Sequence, residues 1–174
     1  MHLLNAMLVI AMAVTSFYRQ NAGFEWNKKS TFNVEHRVEF PGIVLEPGTY
    51  VIRLQESSER RSTVQILSKD EETVLATAVA VPDHRVRPED NSEFTFHEVR
   101  RGPRPVHSWF YTGDLLGLEF VYAKPRAKEI ASDSGSHVMA SNGKKDSVIV
   151  ALTPNGKEVV IDGELIQTAR RKPQ

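Results

Sequence analysis

Apolar and polar positions alternate at period two through much of residues 31–122, a pattern typical of β-strands with one buried face. The densest apolar stretch is residues 109–122, WFYTGDLLGLEFVY, where two aromatic and aliphatic runs flank a turn that contains Gly113 and Asp114. This stretch predicts a strand, a turn and a second strand. We expect its first residue, Trp109, to lie in the core, because buried aromatic side chains dominate the apolar area of small β domains.

Further strand-like runs surround this hairpin, separated by turn dipeptides or charged loops. With the hairpin they amount to about seven strands, at intervals typical of antiparallel sandwiches and barrels. We therefore predict a mainly β fold, an antiparallel β-sandwich or barrel, in a domain that spans residues 28–131. Pro82 is expected to end one strand, and Gly48 is expected to take a positive φ in a turn. The other runs lie at residues 31–40, 50–55, 63–67, 73–81 and 94–99.

The chain after residue 122 predicts one short C-terminal helix followed by a flexible tail. Pro125 suits a first helical turn, and a narrow apolar stripe follows it on one face. Residues 132–146 carry few apolar groups and predict a linker. Residues 147–174 are expected to form the tail, in which the turn sequence Pro-Asn-Gly at 154–156 favours a short hairpin.

The N-terminal apolar run at residues 3–14 has the length of a signal-peptide core and is too short to span a bilayer comfortably. Val14 and Ser16 are small enough for the recognition positions of a signal peptidase. We therefore predict that residues 1–16 are a signal peptide and that the protein is extracytoplasmic, either periplasmic or secreted. A buried N-terminal strand or helix is the alternative interpretation.

Composition narrows the classes of partner and cofactor. Lysine plus arginine equals aspartate plus glutamate, at 22 each, and this balance argues against a nucleic-acid binder or a polybasic membrane anchor. No transmembrane span is expected. The chain has no cysteine, so it forms neither a disulfide nor a thiolate-ligated metal site. No histidine pair has the spacing of a metal motif, and we predict neither a metal site nor a cofactor.

Five polar residues near predicted strand ends are the candidate binding residues, because the loop ends of β domains often carry function. Three follow the strand at 73–81, and two lie in or beside the hairpin. No phosphate-binding loop, nucleophile elbow or zinc-protease motif accompanies them. A solvated charged loop explains the same residues without any function. The candidates are His84, Arg85, Arg87, Asp114 and Glu119.

Three segments in order, PGIVLEPGTYVIRL, AVPDHRVRP and WFYTGDLLGLEFVYAKPRAKEIA, resemble a family of uncharacterised secreted proteins of acidobacteria and related bacteria. The resemblance covers residues 28–131 and the segment TPNGKE at 153–158. It implies a bacterial extracytoplasmic β domain and no particular activity. The shorter LEPGTYVIRL is also similar to a structural motif of prealbumin-like modules.

Two functions from different classes follow from these observations. The first is a non-catalytic binding or structural domain of the cell envelope, with an envelope protein or a glycan as its partner. The second is a carbohydrate-active protein or another hydrolase that uses the loops 83–92 and 112–117. Clustering of His84, Asp114 and Glu119 in one concave pocket would favour the hydrolase, and their dispersal would favour the binding domain.

Overall fold

The computed structural model describes residues 28–57, 61–91, 93–143 and 148–161, and among them it has thirteen strands and one helix. The predicted signal peptide at residues 1–16 lies outside the described residues. In chain order the elements are β1 (Lys29–Val34), β2 (Val38–Phe40), β3 (Ile43–Leu45), β4 (Gly48–Ser57), β5 (Ser62–Ser68), β6 (Val74–His84), β7 (Glu93–Phe96), β8 (Arg104–Phe110), β9 (Leu116–Phe120), β10 (Tyr122–Ala123), α1 (Lys124–Ser134), β11 (Val138–Ser141), β12 (Val150–Leu152) and β13 (Glu158–Val160).

The strands form two sheets. The larger has nine strands in the order β1-β4-β5-β6-β9-β8-β2-β3, with β7 also paired to β8. All of its pairs are antiparallel except β2 with β8. The smaller sheet has the order β10-β11-β12-β13. The predicted class, a mainly β and largely antiparallel fold with one short helix, is confirmed.

The main core lies on one face of the large sheet and is shared with α1 and the small sheet. Trp109 is 2% exposed and lies in this core, as its pattern predicted. Phe110 is also buried, but it projects from the other face because side chains alternate along β8. Aromatic side chains also pack between strands that are not hydrogen-bonded to each other. The ring centroids of Phe32 on β1 and Phe94 on β7, for example, lie 4.9 Å apart.

The helix forms where the sequence predicts it. Pro125 lies in its first turn, where its missing N–H would have no intrahelical partner. Ala127, Ile130 and Ala131 are its buried face. Gly135, in the left-handed conformation, ends the helix by donating its N–H to the carbonyl of Ala131.

The predicted boundary after residue 131 is wrong. Within residues 132–146, predicted to be a linker, the structure has the end of α1 and the strand β11. β11 pairs in parallel with β10 and antiparallel with β12, and its residues Val138, Met139 and Ala140 are buried. The predicted hairpin in the tail is confirmed as β12 and β13. Residues 162–174 lie outside the described residues.

Two local predictions are also wrong. Gly48 does not have a positive φ; it opens β4 in register with Val34 of β1. Pro82 does not end β6, which continues through it to His84 and pairs with β9. Among the described strands, β5 pairs with β6 only as far as Ala80, so Pro82 has a strand neighbour on the β9 side alone, an edge-like position where strands tolerate proline.

No helix among the described residues is long and apolar enough to cross a membrane.

Candidate functional site

Two of the candidate binding residues, Arg85 and Asp114, form contacts that join the loops in which they lie. Arg85 donates from Nε to the carbonyl oxygen of Asp114 at 2.8 Å and from Nη1 to the carboxylate of Glu93 at 3.1 Å. Its guanidinium group lies 5.0 Å from the centroid of the Phe110 ring. The carboxylate of Asp114 forms an ion pair with Lys28. Arg85 and Asp114 therefore meet, and they fasten the end of β6 to the turn between β8 and β9.

The remaining candidates lie in different surroundings. His84 and Arg87 are exposed, at the end of β6 and in the loop after it. Glu119 is 4% exposed in the middle of the large sheet. Its carboxylate clusters with Asp83 and His107, and no such cluster of described residues joins it to His84 or Asp114.

Asp83, Glu119 and His107 come from three neighbouring strands, β6, β9 and β8, and we call them the carboxylate–histidine cluster. One potential ligand atom from each lies within 4.8 Å of the other two. Glu119 is opposite Val81 on β6 and opposite Ser108 on β8. Opposite residues of an antiparallel pair project from the same face, and Asp83, two positions from Val81, reaches Glu119 along the diagonal.

A β-bulge brings His107 onto this face. The pairing of β7 with β8 moves from Phe94 opposite Trp109 to Phe96 opposite Val106, which is two steps on β7 and three on β8. The extra residue on β8 interrupts the alternation that would place His107 and Ser108 on opposite faces, and bulges commonly re-aim side chains in this way. Nε2 of His107 consequently lies 3.1 Å from Oε1 of Glu119.

Hydroxyl groups surround the cluster. Ser108, fully buried, donates from Oγ to Oδ2 of Asp83 at 2.7 Å, and the backbone N–H of His84 donates to Oδ1 at 2.7 Å. The hydroxyl oxygen of Thr95 accepts from the Ser108 N–H at 3.1 Å and lies 3.4 Å from Nδ1 of His107. Asp83 and Glu119 are 7% and 4% exposed, whereas the His107 side chain is 34% exposed. The histidine thus connects two buried carboxylates with solvent.

A second histidine packs against the first. The ring centroids of His97 and His107 are 4.6 Å apart, and Nδ1 of His97 lies 3.2 Å from Oγ of Ser136. Burial is the main cause that lowers the pKa of His97 to about 3, and the nearby His107 and His137 contribute to the same shift. His97 is therefore neutral near pH 7. Its Nε2 is buried without a hydrogen-bond partner among the described residues.

A separate cavity of about 220 Å³, which we call the aromatic pocket, opens between β1, β2, β7 and β8. Its walls include Phe32, Phe94 and Phe96, all three of them partly exposed. The guanidinium group of Arg104 lies 4.2 Å from the Phe96 centroid, and its side chain is 53% exposed. The lining residues are Phe32, Asn33, Val34, Glu35, His36, Val38, Phe40, Phe94, Phe96, Arg104 and Val106.

Of the residues that form the carboxylate–histidine cluster and the aromatic pocket, only Glu119 is a site candidate on the basis of the sequence. The ligand atoms of the cluster come from residues far apart in the chain, so no short motif reveals them. The alternation of TFNVEHRVEF and of EFTF marked the aromatic residues as strand residues, but it did not show that they meet at one opening. No protein-family model matches the chain, and neither the curated proteins nor the solved structures gave a significant match.

Proposed function

We propose that the chain is a non-catalytic, extracytoplasmic binding domain of the cell envelope, and that its ligand occupies the aromatic pocket. The observation that carries this proposal is the convergence of three partly exposed phenylalanine rings on one opening with a charged rim. Large apolar side chains left open to solvent at one place are a common mark of a binding surface. The extracytoplasmic location rests on the apolar run at residues 3–14 and on the family resemblance.

The pocket favours a small ligand with an apolar ring and an anionic group. Its volume of about 220 Å³ lies below the 300–1,000 Å³ or so of drug-sized sites, which limits the ligand to little more than one ring. The phenylalanine rings offer stacking and edge contacts. Arg104 offers a guanidinium group at the rim, and its ion-pair partner Glu98 is 3.8 Å away and 85% exposed. Because this ion pair is long and exposed, the guanidinium group of Arg104 can turn towards the carboxylate of a bound ligand.

Titration with benzoate and with benzyl alcohol tests the proposal, because the two probes share a ring and differ in charge. We expect benzoate to shift the backbone amide resonances of β1, β7 and β8. Arg104→Gln should weaken the affinity for benzoate by roughly 10- to 100-fold and leave the affinity for benzyl alcohol unchanged, since a charged hydrogen bond is worth about 1.5–3 kcal/mol. Arg100→Gln is the matched control, because Arg100 is 82% exposed and does not line the pocket.

Phe96→Ala should weaken both probes, because it removes one wall of the pocket. Resonance shifts confined to other strands, or equal benzoate affinity in the Arg104 and Arg100 variants, would contradict the proposed site. The location has its own test, the mass of the mature protein from its native host. Loss of the first 16 residues or so supports export, and a mature protein that retains Met1 would refute it.

The alternative function, a carbohydrate-active protein or another hydrolase, would use the loops 83–92 and 112–117. Two of its candidate residues, Arg85 and Asp114, already bind partners that fasten these loops to each other and to Lys28. His84 and Arg87 are exposed and contribute to no cluster of potential ligands among the described residues. The non-catalytic function therefore has the stronger support.

A further inference from the structure

We propose that Asp83, His107 and Glu119 bind one divalent transition-metal ion, with Zn²⁺ as the reference ion. This site is independent of the aromatic pocket, because none of the three residues lines that pocket. The proposal stands on the meeting of one nitrogen and two carboxylate ligands from three adjacent strands.

The ligand separations suit a small coordination sphere. Bonds of about 2.0–2.2 Å in a tetrahedral zinc site place neighbouring ligand atoms about 3.3–3.6 Å apart. Nε2 of His107 and Oε1 of Glu119 are already 3.1 Å apart, and all three ligand atoms lie within 4.8 Å of one another. The largest of these separations exceeds the tetrahedral spacing by little more than about 1 Å, a shift that we expect side-chain rotation to supply.

The ligand types select the class of metal. Mg²⁺ and Ca²⁺ prefer shells made only of oxygen, whereas an imidazole nitrogen favours zinc and its first-row neighbours. Three protein ligands leave a fourth position of a tetrahedral zinc ion for water. His107 is the ligand that contacts solvent, and it supplies the path by which a metal ion would enter.

The surrounding hydroxyl groups are placed as metal sites require. A metal-bound histidine donates its other N–H to an oxygen, and ligating carboxylates accept hydrogen bonds of their own. Nδ1 of His107 faces the Thr95 hydroxyl at 3.4 Å, and Asp83 accepts from Ser108. Without metal, Nε2 of His107 lies 3.1 Å from Oε1 of Glu119 and, when it carries the ring proton, donates a hydrogen bond to that oxygen. Metal binding would move that proton to Nδ1.

Calorimetric titration of the full chain with ZnCl₂, after treatment with EDTA and dialysis, tests the proposal. We expect one equivalent to bind with a dissociation constant in the micromolar range or below. Both His107→Gln and Glu119→Gln should weaken this binding at least as much as the roughly 10–100-fold typical for loss of an outer partner. Ser108→Ala, which removes the hydrogen bond to Asp83, should fall within that 10–100-fold range.

His84→Gln is the matched control. His84 adjoins Asp83 in sequence and is exposed, so adventitious zinc binding by the His84 imidazole would be lost in this variant and retained in His107→Gln. Melting each variant in EDTA shows whether it folds. The protonation of His107 in the wild-type chain gives a second measurement that needs no variant: nitrogen-15 spectra should show Nε2 bound to metal and Nδ1 protonated after Zn²⁺ is added.

Three results would overturn the proposal. The first is the absence of a zinc-binding isotherm below millimolar concentration. The second is unchanged affinity in the folded His107 and Glu119 variants. The third is a His107 side chain that keeps its proton on Nε2 in the presence of Zn²⁺, which would identify the cluster as a closed hydrogen-bonded network. Equal affinity for Mg²⁺ or Ca²⁺ would refute the assignment to a transition metal.

Discussion

Replacing Gly117 with alanine should destabilise the domain through one contact in the large sheet. Gly117 lies in β9 between Asp83 of β6 and Phe110 of β8. A Cβ built on Gly117 would stand 2.5 Å from both Cδ1 and Cε1 of Phe110, whereas carbon atoms in contact are about 3.5–4.0 Å apart. The Phe110 ring is 4% exposed and lies under the guanidinium group of Arg85, so it has little room to retreat.

Two opposing terms set the magnitude. Forcing an extra carbon into a packed site costs about 1–3 kcal/mol. Gly117 has no positive φ, so alanine adopts its backbone without strain and recovers about 0.4–1 kcal/mol from the lower entropy of the unfolded chain. We expect a net loss of about 1–2 kcal/mol in the free energy of unfolding. For a domain of this size that loss lowers Tm by roughly 3–10 °C.

Urea unfolding of a double-mutant cycle with Phe110→Leu measures the contact. If the ring causes the cost, Gly117→Ala should be milder by about 1 kcal/mol in the Phe110→Leu background. Gly48→Ala is the control, because it is also a strand glycine with an ordinary φ and its Cβ would lie 3.4 Å from the Tyr50 side chain. Equal costs of Gly117→Ala in both backgrounds, or a Gly117 variant as stable as the Gly48 variant, would refute this reasoning.

Three further predictions concern the stability of the whole fold. Trp109→Ala should lower the free energy of unfolding by roughly 3–5 kcal/mol. In a Trp26→Phe background, acrylamide should quench the fluorescence of native Trp109 only weakly. Strong quenching, together with a near-normal melt of the Trp109→Ala variant, would contradict the place of Trp109 in the core. Deletion of residues 136–174 should abolish the cooperative melt, because it removes β11 to β13 and their buried residues; a transition near that of the full chain would show that the large sheet is self-sufficient. In EDTA, the contribution of His97 to stability should be fully present above its unfolded pKa of 6.5 and should be lost as the pH falls towards 3, by at most about 1.4 kcal/mol per pH unit. In this pH range His97 binds a proton in the unfolded chain but stays neutral in the folded one. The free energy of unfolding of a His97→Leu variant should therefore depend less steeply on pH, and equal slopes for the two proteins would exclude His97 as the source.

Patterns that act locally made much of the fold predictable. The alternation in residues 50–55 corresponds to one face that is more buried than the other, and a strand shows this pattern whichever strands it pairs with. The helix could be predicted because Pro125 and the apolar stripe of α1 both act within one or two turns. The size of Trp109 and its apolar neighbours in sequence predict that it lies in the core, and neither property depends on the strand order.

Pairing between distant segments could not be predicted. The residues VMAS at 138–141 form too short an apolar run to stand out from the polar tract around them. They form a buried strand because β11 pairs on one edge with Tyr122 and Ala123 of β10, in parallel, and on the other edge with β12. The turn signal at Pro47-Gly48 was similarly overridden, since the pairing of β4 with β1 begins at Gly48 itself.

The carboxylate–histidine cluster was hidden for a related reason. Asp83, His107 and Glu119 are brought together by the order β6-β9-β8, which the sequence does not state. The sequence also predicts a loop at Asp83, because Pro82 is expected to end the preceding strand. Even a correct strand assignment would have turned His107 away from Glu119, since alternation assigns His107 and Ser108 to opposite faces and no residue type signals the bulge.

The structure places both proposed sites on the large sheet rather than in the loops that the sequence favoured. Arg85 and Asp114, the most site-like pair in the loops, are already engaged in fastening the loop after β6 to the β8–β9 turn. β8, in contrast, contributes to both proposed sites: Val106 and Arg104 line the aromatic pocket, and the bulge one residue beyond Val106 presents His107 to the buried carboxylates. A strand paired on both sides holds such groups more rigidly than a loop does, and rigid placement of a few polar groups is what metal and small-molecule binding require.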